Sequence, residues 1–119
     1  MRNEMKEENI ILKKSMEFAV RIVNLRKYLT EEKHEYVLSK QLLKSGTSIC
    51  ANIREAKYGQ SKNDFIAKMN ISLKEASETE YWLELLYTTE YLTKEAYKSI
   101  QTDCGELAKI LTAIVKNSK

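Results

Sequence analysis

Hydrophobic residues recur at alternating steps of three and four along four segments of the chain, a pattern typical of helices that pack against one another. In the first segment the repeating positions are Ile11, Ser15, Phe18, Ile22, Leu25 and Leu29. Polar or charged joints separate the segments. The pattern predicts helices over about residues 7–29, 36–58, 62–92 and 93–115.

Local capping signals agree with these boundaries. Gly59 follows the second segment and predicts its C-terminal cap. Ser61, with Asp64 three residues later, is the pattern of an N-terminal capping box for the third helix. Thr93 takes the same capping position before the fourth helix.

Gly46 stands in the middle of the second segment, where a glycine costs a helix about 1 kcal/mol relative to alanine. The heptad phase continues across it, which predicts an unbroken helix in close contact with a neighbour. The alternative is a loop over residues 44–48.

Composition supports long helices, because the chain has no proline and three glycines among its 119 residues. Four such helices with short joints must alternate in direction. The sequence therefore predicts a single all-α domain, residues 1–119, folded as an antiparallel up-and-down four-helix bundle.

Three polar residues fall on helix faces predicted to be buried, where each must form hydrogen bonds. Two of them, Asn52 and Glu80, lie on the predicted seams, and Gln41 is the predicted buried partner of Glu80. Counting from the joints places Glu80 level with Gln41 and Ser45, and it places Asn52 near Ser15 or a backbone carbonyl. We predict a structural role for both layers, in fixing helix register.

Apolar residues cover about half the circumference of the first helix, although one buried stripe of about 100° suffices for a monomer. The excess predicts a contact with another subunit. Ile71, Trp82 and Leu85 point away from the seam of the third helix and are candidate subunit contacts. The alternative for Trp82 is a half-exposed ring covered by its own neighbours.

Charge is weakly positive overall, at +3, but uneven along the chain. Residues 62–93 hold three basic and six acidic side chains, whereas each of the other three segments carries an excess of two basic ones. Basic residues on outer faces are candidate phosphate contacts, the alternative being ordinary solvated surface. They are Lys13, Arg21, Lys40, Lys44, Arg54, Lys98 and Lys109, with Lys94 and Lys116 on the same row of the fourth helix.

No constellation of catalytic, cofactor-binding or metal-binding residues is recognisable. A di-iron bundle needs a Glu-x-x-His motif on two helices, and the chain's one histidine, His34, falls in a joint. Cys50 and Cys104 lie on apolar faces without metal-type spacing, as small buried hydrophobes do. Because no catalytic constellation is recognisable, we expect a protein that is not an enzyme. Because no signal peptide or membrane span is recognisable, we expect it to be cytoplasmic.

Two runs, SKQLLKSGTSICANIREA at 39–56 and SKNDFIAKMNISLKEASETEYWLELL at 61–86, resemble the four-helix-bundle proteins encoded in 23S rRNA intervening sequences of bacteria. The matching residues are Gln41, Ser45, Ser48, Asn52, Ile53, Glu55, Ser61, Asp64, Phe65, Leu73, Glu75, Ala76, Glu78, Thr79, Glu80 and Leu83. Two features depart from the pattern: Cys50 stands where glycine is expected, and the second helix ends in Arg54-Glu55-Ala56 instead of an Ala-Glu-Gly type sequence.

The resemblance implies an antiparallel bundle that assembles as a homopentameric ring, without catalytic residues or cofactors. It also implies kinship with accessory proteins of diversity-generating retroelements, which are thought to bind nucleic acid and a reverse transcriptase. The functional prediction is a non-enzymatic oligomer that binds structured RNA or DNA through its basic surfaces. The alternative is an interaction scaffold that docks a partner protein without touching nucleic acid.

Overall fold

The computed structural model describes the backbone of residues 2–118 and the side chains of residues 8–118. The elements are α1 (Arg2–Glu31), α2 (Leu38–Lys57), α3 (Lys62–Thr88) and α4 (Lys94–Asn117), with no strand in the described range. Each helix packs on the next, and α1 also packs on α4, so the four close into a bundle of 45 × 23 × 18 Å. The all-α class is confirmed.

Helix α2 begins at a carboxylate, Glu35, that belongs to the charged joint predicted between the first two helices. Glu35 is buried and accepts hydrogen bonds from the backbone N–H groups of Val37, Leu38 and Ser39, at 3.2, 3.0 and 2.7 Å. These N–H groups have no partner within the helix, so an anionic acceptor at this end both caps them and complements the helix dipole.

The predicted caps of α3 and α4 are confirmed. The Ser61 hydroxyl accepts from the Asp64 N–H at 3.1 Å, and the Thr93 hydroxyl accepts from the Ala96 N–H at 3.2 Å. Helix α2 ends before Gly59, whose N–H donates to the Ala56 carbonyl at 3.1 Å. That glycine does not adopt a positive φ, so the turn uses an ordinary backbone conformation.

Helix α3 ends four residues earlier than predicted, at Thr88. Glu90 takes a left-handed conformation with φ of 70°, its N–H donates to Tyr87, and the N–H of Tyr91 donates to Leu86 at 2.8 Å. This is the hydrogen-bond pattern of a Schellman motif. A non-glycine residue at its left-handed position is strained, because the Cβ crowds the backbone.

Gly46 lies inside an unbroken α2, so the alternative of a loop over residues 44–48 is wrong. A Cβ built on Gly46 would lie 2.8 Å from Cγ1 of Ile22, which is fully buried in α1. The glycine is therefore what allows α1 and α2 to approach this closely.

Small hydroxyl side chains form the buried polar contacts between α2 and α3. The Ser72 hydroxyl donates to the Ile49 carbonyl at 2.8 Å, and the Thr79 hydroxyl lies 3.0 Å from that of Ser45. All of these side chains are buried. Each of these hydroxyl groups forms a hydrogen bond, so its burial costs little free energy.

The predicted layer of Glu80 with Gln41 and Ser45 is wrong. Gln41 is exposed, and Glu80 is half-buried on the α4 side of α3, close enough to Cys104 to influence its thiol. The buried face of α3 runs through Thr79 instead of Glu80, so the helix is rotated from the predicted seam. Asn52 is half-buried and donates to the Ser48 carbonyl at 2.8 Å, which confirms the backbone-carbonyl alternative.

Candidate nucleic-acid and subunit interfaces

The most uniform basic surface is a row of lysines along α4. The helical spacing of these residues places them on one side of the helix. All are exposed, and within the described residues none lies in ion-pair contact with a carboxylate. The row comprises Lys94, Lys98, Lys109 and Lys116.

The acidic residues in the middle of α4 face the opposite way, toward α1. Asp103 pairs with Arg21 at 2.6 Å, and Glu106 pairs with Lys14 at 2.6 Å. The Glu106 hydrogen bond and charge raise the pKa of Lys14. Because these bridges are half-exposed, solvent screens them and they add little to stability. Their larger effect is to remove the acids from the neighbourhood of the lysine row.

Arg21 does not belong to a free basic surface. Besides the Asp103 carboxylate, its guanidinium donates to the Ser99 hydroxyl at 3.1 Å. The predicted phosphate contact would have to break this network, and we therefore leave Arg21 out of the candidate nucleic-acid surface.

One of the basic residues of α2, Lys44, lies close to an acidic side chain of α3. Lys40, Lys44 and Arg54 are exposed. The charge of Lys44 acts on Glu75 of α3, although burial and the nearby Glu78 outweigh it and raise the pKa of Glu75. Acidic side chains of α3 therefore lie near the α2 surface at Lys44, whereas within the described residues no lysine of the α4 row is in ion-pair contact with a carboxylate. Lys13, on α1, is exposed like the others.

Helix α1 carries apolar side chains that the bundle leaves uncovered, which confirms the excess apolar surface predicted for it. Met16, Val20 and Val23 retain 46%, 50% and 37% of their accessible surface. Their spacing of four and three residues aligns them in one row. Arg54 of α2 lies beside the row, with its Nη2 3.9 Å from Sδ of Met16.

Helix α3 carries the other uncovered apolar surface, at the predicted subunit contacts. Ile71 is 43% exposed, whereas Trp82 and Leu85 are half-buried against the core. The indole N–H of Trp82 donates to Glu78 at 3.4 Å, and the Tyr81 ring meets the indole edge-on at 4.8 Å. By their spacing, Glu75 and Glu78 lie between Ile71 and Trp82 on the same side of α3, so carboxylates interrupt this apolar row.

A tyrosine-lined cleft of about 500 Å³, which was not predicted from the sequence, lies beside the joint between α3 and α4. Tyr28, Tyr87 and Tyr91 line it together with Lys33, whose Nζ stands 6.0 Å from the centre of the Tyr28 ring. Tyr87 also stacks on Tyr97 with ring centres 4.4 Å apart. The sequence feature that could have indicated this cleft is the concentration of tyrosines near the joint after α1 and the joint after α3.

Reactive chemistry is not assembled in the part of the chain that the structure describes. No group of three potential metal ligands occurs there, and no described helix is both long enough and apolar enough to cross a membrane. Burial, with the charges of Glu80 and Asp103, raises the pKa of the Cys104 thiol to about 12. His34 is exposed, and its contact is the Tyr36 hydroxyl at 3.3 Å.

The sequence of the chain also matches a known protein family. The profile of the 23S rRNA-intervening sequence protein family matches residues 7–113. The chain belongs to that family. The resemblance carried by α2 and α3 is therefore confirmed. No curated protein gives a significant match.

A protein with a solved crystal structure is similar to this chain in both fold and sequence. It is a protein of unknown function from the S23 ribosomal protein family of Bacteroides thetaiotaomicron, whose crystal structure was determined at 1.70 Å resolution. The two sequences are 61% identical, and the alignment covers 92% of this chain and 98% of that one with a TM-score of 0.92.

Proposed function

We propose that this member of the 23S rRNA-intervening sequence protein family is a non-enzymatic cytoplasmic subunit of a symmetric ring that binds structured RNA or DNA through its basic surfaces. The family resemblance supports a pentamer. The observation that carries the proposal is the combination of an uncovered apolar row on α1 with the α4 lysines, none of which is in ion-pair contact with a carboxylate in the described part of the chain.

An antiparallel arrangement of the helices underlies this assembly. Along α2 and α3, Ser45 meets Thr79 whereas Glu55 meets Lys68, at 3.0 and 2.8 Å. Later residues of α2 thus meet earlier residues of α3, as expected for neighbouring helices that run in opposite directions.

The two uncovered apolar rows suit a head-to-tail contact between subunits. Helices α1 and α3 are not neighbours in the bundle, since within the described residues no Cα atom of one lies within 8 Å of a Cα atom of the other. Their outward rows therefore lie on different sides of the bundle. The α1 row has Arg54 beside it, whereas Glu75 and Glu78 lie within the α3 row. Apposing the two would bury apolar side chains and pair opposite charges. A contact between two different faces closes into a ring when the rotation permits.

Ring formation would also strengthen nucleic-acid binding. A net charge of +3 is weak for one subunit, but copies arranged around an axis add their fields. Phosphate neutralisation by lysines releases counterions, so the affinity should fall steeply with salt concentration.

The proposal is tested by two measurements on the intact protein. Light scattering gives the mass of the native particle, and filter binding of a structured RNA at increasing salt gives the affinity and its salt dependence. A particle of several subunits with salt-sensitive binding supports the proposal, and RNA retention that does not differ from background removes the nucleic-acid part of it.

The alternative is a scaffold that docks a partner protein, and the half-exposed Trp82 favours it as an interface anchor. Trp82→Ala separates the two roles for that face. Loss of the oligomer alone assigns Trp82 to subunit packing, and loss of a bound partner with the ring intact assigns it to docking.

A further inference from the structure

Helix α4 contains a glycine that the bundle itself does not require. A Cβ added to Gly105 would meet no atom within 4 Å, whereas one added to Gly46 would collide with Ile22. Gly105 does not have a positive φ, so the backbone does not demand glycine either. Glycine disfavours a helix relative to alanine. The open space above Gly105 is therefore where something outside this chain can approach the helix backbone.

The surroundings of Gly105 indicate the charge of what approaches. Lys109 lies one turn after it and Lys98 two turns before it, both on the same side of α4. Together with Lys94 and Lys116 they form a row about 33 Å long. Within the described residues no carboxylate pairs with any of these lysines.

A protein partner does not suit this surface. Protein interfaces have an apolar centre, and the large exposed hydrophobic residues of the described chain all lie outside α4. The acidic face of α3 has its own apolar row, whose complement is the apolar row of α1. Nucleic-acid interfaces, in contrast, are polar and strongly positive.

We propose that the Lys98–Lys109 side of α4 is the surface on which the sugar-phosphate backbone of a structured RNA lies. Gly105 admits the strand close to the helix, and the lysines on either side contact its phosphates. This inference rests on the proposed nucleic-acid function and deepens it, because it assigns the ligand to α4 and not to the basic residues of α2.

The first test adds bulk without charge. Gly105→Met is compared with Ala51→Met, which places the same side chain at an exposed position of α2. The assay is filter binding of a defined RNA hairpin at low salt. We expect Gly105→Met to weaken binding on the order of tenfold while raising the melting temperature, because methionine favours a helix more than glycine does. Ala51→Met should bind as the native chain does.

The second test removes charge. Lys98→Gln with Lys109→Gln is compared with Lys40→Gln and Lys44→Gln, a matched loss of two exposed lysines from α2. The logarithm of the affinity falls linearly with the logarithm of the salt concentration, and each lost phosphate contact makes this fall less steep by about one unit of slope. The α4 pair should therefore reduce the steepness of the salt dependence by about two per contacting subunit, and the α2 pair, which removes the rival candidate contacts, should reduce it by less.

The outcomes separate this inference from the function on which it rests. If the native chain does not bind the hairpin, the proposed function fails. If the native chain binds and only the α2 variants weaken binding, the assignment to α4 is wrong and the function stands. A fall in particle mass by light scattering for Gly105→Met would make Gly105 a subunit contact, which also overturns the assignment.

Discussion

The two helical glycines should respond in opposite directions to the same substitution. At Gly46 an alanine Cβ would lie 2.8 and 2.9 Å from Cγ1 and Cγ2 of Ile22. These carbons branch directly from the Ile22 Cβ in a fully buried side chain, so α1 must move to accommodate them. At Gly105 the added Cβ meets only solvent.

The magnitudes follow from two effects. Alanine favours a helix over glycine by about 1 kcal/mol, and overpacking of a filled core costs about 2–3 kcal/mol. Gly46→Ala should therefore lower the free energy of unfolding by about 1–2 kcal/mol. Gly105→Ala should raise it by about 0.5–1 kcal/mol, because only the helix preference changes.

A double-mutant cycle isolates the contact with Ile22. Ile22→Ala alone should cost about 2–5 kcal/mol. In that background the space beside Gly46 is open, so Gly46→Ala should become stabilising. Urea denaturation at one fixed subunit concentration measures all four variants. Equal effects of Gly46→Ala in the two backgrounds would refute the close approach of α1 and α2.

Other predictions test single features of the fold and its chemistry. Glu35→Ala leaves three helix N–H groups without their acceptor and should destabilise the chain by about 1–3 kcal/mol in urea denaturation, and no measurable loss would contradict the capping role. Glu90→Gly relieves the left-handed backbone and should raise stability by about 0.5–1 kcal/mol, whereas a decrease would mean that the Glu90 side chain contributes a contact. Cys104, with its pKa raised to about 12, should react with iodoacetamide at pH 8 only as fast as the chain unfolds, and rapid alkylation of the native protein would contradict its burial.

Helix number, approximate helix ends and two of the caps could be predicted from the sequence, because they depend on local residue spacing. The rotation of α3 could not be predicted, because an apolar repeat predicts burial for hydrophobic residues such as Ile66 and Leu73 and does not predict it for Ser72 and Thr79. Those hydroxyls are buried because carbonyl and hydroxyl partners on α2 satisfy them. Once the seam was misplaced, Glu80 was predicted to be more buried than it is.

Which residues belong to the candidate surfaces depends on contacts between residues that are far apart in sequence, and these contacts could not be predicted. Arg21 looks like any exposed basic residue until the register of α1 against α4 places Asp103 beside it. Gly46 and Gly105 are both helical glycines, and only the positions of their neighbours distinguish the roles. The apolar excess on α1 could be predicted because it is a property of one helix alone.

The mass of the native particle, measured by light scattering with and without a structured RNA, tests the central claim most directly. One subunit has a mass of 13.9 kDa. A closed ring of five copies predicts a particle of about 70 kDa that gains the mass of the RNA at low salt and loses it at high salt. A species of 13.9 kDa whose mass does not change when RNA is added would contradict the account.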